Sequence, residues 1–291
     1  MEEVALGSRL VPSLPMLEPP QRAVVEEWFP GAVLIVDHSW GLVGRTVLHL
    51  RYEGRDFVLK AGAFEDHHMV REIVAHFTMV EPLAGCGLAP RLVQADRGLR
   101  LLATTYLPGV LVEGTPAEYE PGTYRQAGHA LALFHGQGAR PGDEYEQRMD
   151  AKALAWLNRD HRIADEAVAL LRAELATPLP PRPLAPTHGD WQPRNWIVDG
   201  ARLAVIDFGR ADWRPPGTDL ARLGAQQFRG RPDLVEAFLD GYGNDPRTPQ
   251  AWRRDRVREA IGTAVWAHLV ADDEFEQQGH RMIANLLDAD H

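Results

Sequence analysis

Short runs of β-branched and aromatic residues open the chain's patterned region, at 32–37, 43–52 and 56–60, separated by the turn residues Ser39-Trp40-Gly41 and Glu53-Gly54-Arg55. That alternation predicts an antiparallel meander. A short helix is expected before it, over 21–29, ended by Pro30-Gly31. From 66 to 83 the period changes. Met69, Ile73, Phe77 and Val80 recur three or four apart, which predicts one helix with those four residues on its inner face. Two more strand-like runs, 91–95 and 99–106, lead to Leu107-Pro108-Gly109, where a domain boundary is expected.

Past that point the periodicity is helical, over 124–135, 151–158 and 163–175. The proline-rich stretch 178–186 sets off a loop at 187–195 and short strands at 196–198 and 203–206. Helices are expected over 218–228, 232–241, 250–271 and 277–287. The pattern therefore predicts an α+β protein: residues 1–107 an antiparallel sheet with one main helix, residues 108–291 mostly helical. Trp266, Leu269 and Val270 form an apolar stripe expected to pack inward, and Trp156 and Trp252 are expected in the core with Trp266.

Composition narrows the function. Cys86 is the sole cysteine, so neither an internal disulfide nor a cysteine metal cluster can form. The start, Met1-Glu2-Glu3, is acidic where a secretory signal is basic, and no apolar run nears the roughly 18 residues of a membrane span. A cytoplasmic protein is expected. The net charge of -10 argues against a nucleic-acid partner and suits a cationic one. Of the 31 basic residues only Lys60 and Lys152 are lysines. Arginine serves most solvated surfaces, so each lysine asks for a reason such as a compact point charge on a slim stem.

The strongest chemical signal is His188-Gly189-Asp190-Trp191-Gln192-Pro193-Arg194-Asn195, followed by Ile206-Asp207-Phe208-Gly209. Phosphoryl transfer needs an acid that orients the attacking hydroxyl and accepts its proton, and oxygen ligands that hold Mg²⁺ against nucleotide phosphates. Asp190 fits the first role; Asn195 and Asp207 fit the second.

With these motifs the chain resembles the aminoglycoside phosphotransferase and choline kinase-like family, small-molecule kinases with a protein-kinase-like, bilobal fold. The resemblance extends over roughly residues 32–287 through Lys60, Glu72, the Ala130-to-His135 segment and Gly217-Thr218-Asp219. It implies ATP and Mg²⁺ as cofactors and a small-molecule hydroxyl acceptor, amine-bearing ones among them. It implies that Lys60 meets the nucleotide phosphates and pairs with Glu72, and that Asp219 is structural, tied to the catalytic loop. It implies that Gly41 and Gly44 belong to the nucleotide loop, and that Thr105 and Leu107 lie in the linker meeting adenine through backbone groups. That loop has two glycines where protein kinases use three. His135 and His188 are expected as buried braces of the catalytic loop, and His67, His68 and His76 as a solvated helix start and not a metal site. Because the helices after Asp207 wall the acceptor site in such enzymes, Asp273 and Glu276, three apart, are candidate contacts for a cationic acceptor.

Two other readings stand beside this one. A protein kinase shares the chemistry, but only eleven residues separate Asp207 from Asp219 and no Ala-Pro-Glu follows. A catalytically inactive nucleotide-binding regulator would keep the fold, although Lys60, Glu72, Asp190, Asn195 and Asp207 are all present here.

Overall fold

The computed structural model describes residues 14, 16–39 and 44–288. In chain order its elements are α1 (Pro19–Trp28), β1 (Val33–Asp37), β2 (Thr46–Tyr52), β3 (Arg55–Ala61), α2 (His67–Thr78), α3 (Glu81–Gly85), β4 (Leu92–Asp96), β5 (Leu101–Thr105) and β6 (Val110–Leu111). There follow α4 (Pro121–His135), α5 (Tyr145–Trp156), α6 (Asp165–Ala176), β7 (Ala185–Thr187), β8 (Trp196–Asp199), β9 (Arg202–Val205) and β10 (Asp212–Arg214). The last are α7 (Ala221–Ala225), α8 (Pro232–Tyr242), α9 (Pro249–Leu269) and α10 (Asp273–Asp288). An antiparallel sheet in the N-terminal region and a mostly helical C-terminal part make the α+β architecture.

The chain forms two compact units. One comprises the described residues of Met1–Val112 together with Asn195–Ala211; the other comprises Glu113–Arg194 and the described residues of Asp212–His291. The segment that carries Asn195 and Asp207 thus belongs to the first unit, beside the boundary expected at 107–108.

In the first unit the strands run β1-β2-β3-β5-β4, and β6-β8-β9 form a second antiparallel sheet. Alternation along β3 sends Phe57, Leu59 and Ala61 into a core shared with Val25 and Phe29 near α1. The opposite face presents Leu102, in register with Lys60, to Met69 and Ile73 of α2. One strand period therefore decides that Lys60 faces α2. The single helix expected over 66–83 is broken: Pro82 starts α3 within its first turn, after α2 has ended at Thr78. The inner face of α2 also differs from the expected stripe. Met69, Glu72, Ile73 and His76 are buried, while Phe77 is 65% exposed. Glu72 must meet Lys60 and His76 packs edge-on against Phe208 with ring centroids 5.7 Å apart, and these contacts turn Phe77 outward.

In the second unit α5, α6, α9 and α10 share a core of Leu157, Leu171, Val257, Ile261, Val265 and Ile283. A buried charge network ties α5 to α9: Arg254 and Arg258 both lie 2.7 Å from Asp150, and Arg182 lies 2.8 Å from Asp255. The stripe expected inward faces out instead, with Trp266 46%, Leu269 39% and Val270 49% exposed. The reason is close approach. A Cβ on Gly279 of α10 would stand 2.5 Å from the Ala264 backbone, so the small Ala260–Ala264 side of α9 must face the middle of α10, and Trp266 is left outside that contact, edge-on to Phe275 in the first turn of α10. Trp156 and Trp252 are half-buried and not central to the core. A second close crossing joins α4 and α8, where a Cβ on Gly128 or Gly241 would run into the facing backbone. The strands β7 and β10, which the sequence pattern did not indicate, pair antiparallel at Thr187 and Asp212. The helix expected over 218–228 is a 3-10 turn, Pro216–Leu220, followed by the short α7.

Candidate active site

The first unit gathers Lys60, Glu72 and Asp207. Asp66 caps α2 by accepting from the backbone N–H groups of His68 and Met69, and Arg45 grips its carboxylate with two hydrogen bonds. The helix so fixed carries Glu72 one turn inward, where its carboxylate accepts from the Lys60 ammonium at 2.6 Å. Asp207 stands 3.9 Å from the same ammonium and is partly exposed. Burial opposes the charge on Lys60, but Glu72 and Asp207 outweigh it and raise its pKa above the ordinary value. Glu72 is also raised, first by burial and further by the Asp207 charge, with Lys60 opposing. Two carboxylates therefore share one ammonium.

The backbone at Asp207 is left-handed, with φ of 63°, a conformation that non-glycine residues seldom adopt. Gly209 closes the turn: its N–H donates to the Asp207 carboxylate at 3.3 Å, and His68 Nδ1 meets its carbonyl at 3.1 Å. His68 is thus engaged with the Asp207 turn, and His76 is buried, so neither belongs to a solvated helix start. Asn195 is buried, and its carbonyl accepts from the N–H of Ile206, next to Asp207. Among the described residues no group of three His, Cys, Asp or Glu is arranged to hold a metal. The hard oxygen donors of Asp207 and Asn195, completed by phosphate oxygens, nevertheless suit Mg²⁺, and the surplus carboxylate charge beside Lys60 is the environment a divalent cation would balance.

Gly41 lies outside the described residues. Gly44 has φ of 61°, which a side chain would strain, with open space where its Cβ would be. Thr105 donates its N–H to the Arg91 carbonyl, and the N–H of Tyr106 goes to Asp56. Leu107 makes no backbone hydrogen bond among the described residues.

The second unit builds the surroundings of Asp190. The α4–α8 crossing brings His135 at the end of α4 to Tyr242 at the end of α8, at 2.8 Å. The other ring nitrogen of His135 lies 3.1 Å from Asp219. The Asp219 carboxylate accepts the N–H of His188 at 2.8 Å and of Gly189 at 2.6 Å. Burial works against its charge, yet His135 and these backbone donors hold its pKa below the ordinary carboxylate value. One buried anion thus organises the turn that carries Asp190.

Three residues whose roles sequence reasoning missed hold the Asp190 carboxylate itself. Gln192 and Arg222 donate to Oδ1, the latter at 2.6 Å, and Arg194 donates to Oδ2 at 2.7 Å. Arg222 also donates from Nε to Glu259 on α9 at 2.8 Å. Burial would lower Arg222, but Glu259 and Asp190 raise its pKa and keep it a cation. The only signal in the sequence was the basic residue three positions after Asp219.

Of the acidic pair on α10, Asp273 is exposed, while Glu276 is buried among Arg162 at 3.3 Å, His268 at 3.3 Å and His280 at 3.5 Å. No helix among the described residues is long and apolar enough to cross a membrane.

Comparison with known proteins places these residues in context. The family model described as the phosphotransferase enzyme family matches residues 38–258. Aminoglycoside phosphotransferase APH(4)-Ia, in a thermostable mutant form with ADP and hygromycin B, superposes with a TM-score of 0.67 at 14% identity, covering 91% of this chain and 97% of that one. A choline/ethanolamine kinase family protein from Mesorhizobium loti gives 0.59 at 23% identity, covering 83% and 85%. Macrolide 2'-phosphotransferase MphH from Brachybacterium faecium gives 0.62 at 19%, covering 87% and 94%. These likenesses show the fold. Among curated proteins, one of Invertebrate iridescent virus 3 named as a serine/threonine-protein kinase is 33% identical over 66 residues, 22% of this chain. The chain spans about a fifth of that relative's length.

Proposed function

The chain belongs to the phosphotransferase enzyme family, and from that premise we propose that it transfers the γ-phosphoryl group of ATP to a hydroxyl of a small molecule in the cytoplasm. The observation that carries this reading is the Lys60 ammonium, held 2.6 Å from Glu72 and 3.9 Å from Asp207. A cation fixed by one buried carboxylate and faced by a second, exposed one suits a nucleotide phosphate chain with its metal.

In this reading Lys60 binds the α- and β-phosphates, and Glu72 holds it in place. Backbone amides near Gly41 and Gly44 cover the phosphates, and Thr105 and Leu107 border the adenine. Asp207 and Asn195 would hold Mg²⁺, which when bound neutralises phosphate charge and polarises the transferred group. Asp190 orients the acceptor hydroxyl and takes its proton at a carboxylate oxygen. Gln192, Arg194 and Arg222 fix that carboxylate's rotation, and Asp219 fixes the turn beneath it.

The acceptor we favour carries an amine, as an aminoglycoside, amino sugar or amino alcohol does, because the net charge of -10 attracts cations. Both carboxylates already face Arg162, Asp273 at 3.7 Å and Glu276 at 3.3 Å; Asp273, being exposed, is the one left open to an acceptor. The interval between Asp207 and Asp219 is filled by β10 and a 3-10 turn, which supports a small acceptor over a protein substrate. Screening MgATP against a library of amino alcohols, amino sugars and aminoglycosides tests the proposal, with mass spectrometry reading the gain of one phosphoryl group. Tight MgATP binding with transfer to no acceptor would establish the inactive-module reading instead.

A further inference from the structure

In the helical unit arginines are held by partners almost throughout. Carboxylates pair Arg222, Arg254 and Arg258, aromatic rings lie under Arg140 and Arg159, and Arg172 donates to the Leu157 carbonyl. Arg125, Arg148, Arg162, Arg182, Arg194, Arg214, Arg231, Arg247 and Arg253 are held in the same ways. Three are not. Among the described residues Arg229, Arg256 and Arg281 have no carboxylate, carbonyl or ring partner, and all three line one cavity formed by α7, α9 and α10.

Three unpaired guanidinium groups at one place repel each other, and in a chain of net charge -10 carboxylates were available to neutralise them. Arg256 is half-buried, and burial first and the charge of Arg253 second lower its pKa. The remaining lining fits a ligand. Gln278 and Asn285 add amide donors, and Met282 gives an apolar wall. The cavity is small, about 70 Å³, room for a few water-sized groups and so for a compact anion. Guanidinium groups match phosphate and carboxylate oxygens in a bidentate geometry.

We propose that this cavity binds a small anionic ligand bearing phosphate or carboxylate groups. The site is separate in chemistry from the Lys60 cluster and does not rest on the phosphotransfer reading. It is nevertheless joined to the Asp190 surroundings, because Arg256 precedes Glu259 by about one turn of α9 and the same short α7 that backs the cavity carries Arg222.

Calorimetric titration with inorganic pyrophosphate and, separately, citrate tests the proposal on the full chain. The expected result is that wild type binds at least one of the two, that Lys60→Met binds it equally, and that Arg256→Gln combined with Arg281→Gln weakens it by at least about tenfold. The exposed Arg281→Gln change alone, which leaves the core untouched, should weaken it by a smaller factor. Arg55→Gln with Arg97→Gln removes the same charge elsewhere and should leave binding unchanged. A preference for pyrophosphate would mark a phosphorylated ligand, and a preference for citrate a carboxylate. The proposal is overturned if neither anion binds, if the cavity variants bind as wild type does, if the control loses affinity equally, or if Lys60→Met abolishes binding.

Discussion

The guanidinium of Arg222 stands 2.6 Å from the carboxylate of Asp190, and its Nε reaches Glu259 at 2.8 Å. A base that must meet a hydroxyl in one orientation gains from being locked by a rigid fork. Arg222→Gln should lower kcat by about ten- to a hundredfold while leaving the KM for ATP near wild type, because Arg222 bonds to Asp190 and Glu259 and to none of the residues proposed for the nucleotide. Leaving two carboxylates without their shared cation should also cost roughly 3 kcal/mol of stability. Arg222→Lys should recover much of the stability and little of the kcat, since an ammonium restores charge but not the fork. Steady-state kinetics with thermal melting separates the two effects, and a KM for ATP that rises in parallel would point to a merely structural role.

Asp219 accepts two backbone N–H groups of the turn that carries Asp190, besides facing His135. Asp219→Asn replaces one accepting oxygen with a donor, so one N–H loses its partner. A loss of about 1–3 kcal/mol is expected for a buried donor left unsatisfied, with a fall in kcat from the loosened turn. Chemical denaturation and turnover measured together check this; unchanged values in both would remove Asp219 from its bracing role.

His76 provides a pH test. Burial first, and the Lys60 charge second, lower its pKa to about 3. The unfolded chain's histidine, with a pKa near 6.5, binds a proton that the folded chain refuses, so stability falls as pH drops from about 6.5 toward 3, by at most about 1.4 kcal/mol per pH unit. Its Nδ1 has no hydrogen-bond partner, so an apolar replacement should be tolerated. Denaturation midpoints at pH 7 and pH 5 should differ less in His76→Met than in wild type. An identical difference in both would contradict the assignment.

Lys60→Arg keeps a positive charge but places a broad, planar group where a slim stem now reaches a carboxylate 2.6 Å away. Misplaced phosphates should raise the KM for ATP and lower kcat together. Normal kinetics in this variant would remove Lys60 from the phosphate-binding role and leave it a structural partner of Glu72.

How far such residues could be read from sequence depended on whether their neighbours were local. Lys60 stood out because lysine is rare here and because it follows Phe57-Val58-Leu59; strand alternation then turns it toward α2, where Glu72 meets it. The motifs from His188 to Asn195 and from Ile206 to Gly209 were compact enough to be read directly. Arg222 and Glu259 were not, because their meeting depends on how α7 packs against α9, and the buried side of α9 carries Arg254 and Asp255 among its apolar residues, which hides its period. The same limit explains the two misplaced helix faces. Period alone set Phe77 and Trp266 inward, whereas the Glu72 ion pair and the close approach of Gly279 to Ala264 fixed each helix's rotation.

The division of labour between the two carboxylates is the centre of the account, and comparing Asp190→Asn with Asp207→Ala tests it most directly. Once an acceptor is in hand, Asp190→Asn should lower kcat by at least about a hundredfold, the usual scale for losing a positioned base, and leave calorimetric MgATP affinity near wild type. Asp207→Ala should instead abolish the Mg²⁺-dependent part of nucleotide binding, because it removes a charged metal ligand. Wild-type turnover in Asp190→Asn, or unchanged MgATP affinity in Asp207→Ala, would contradict the roles assigned to them.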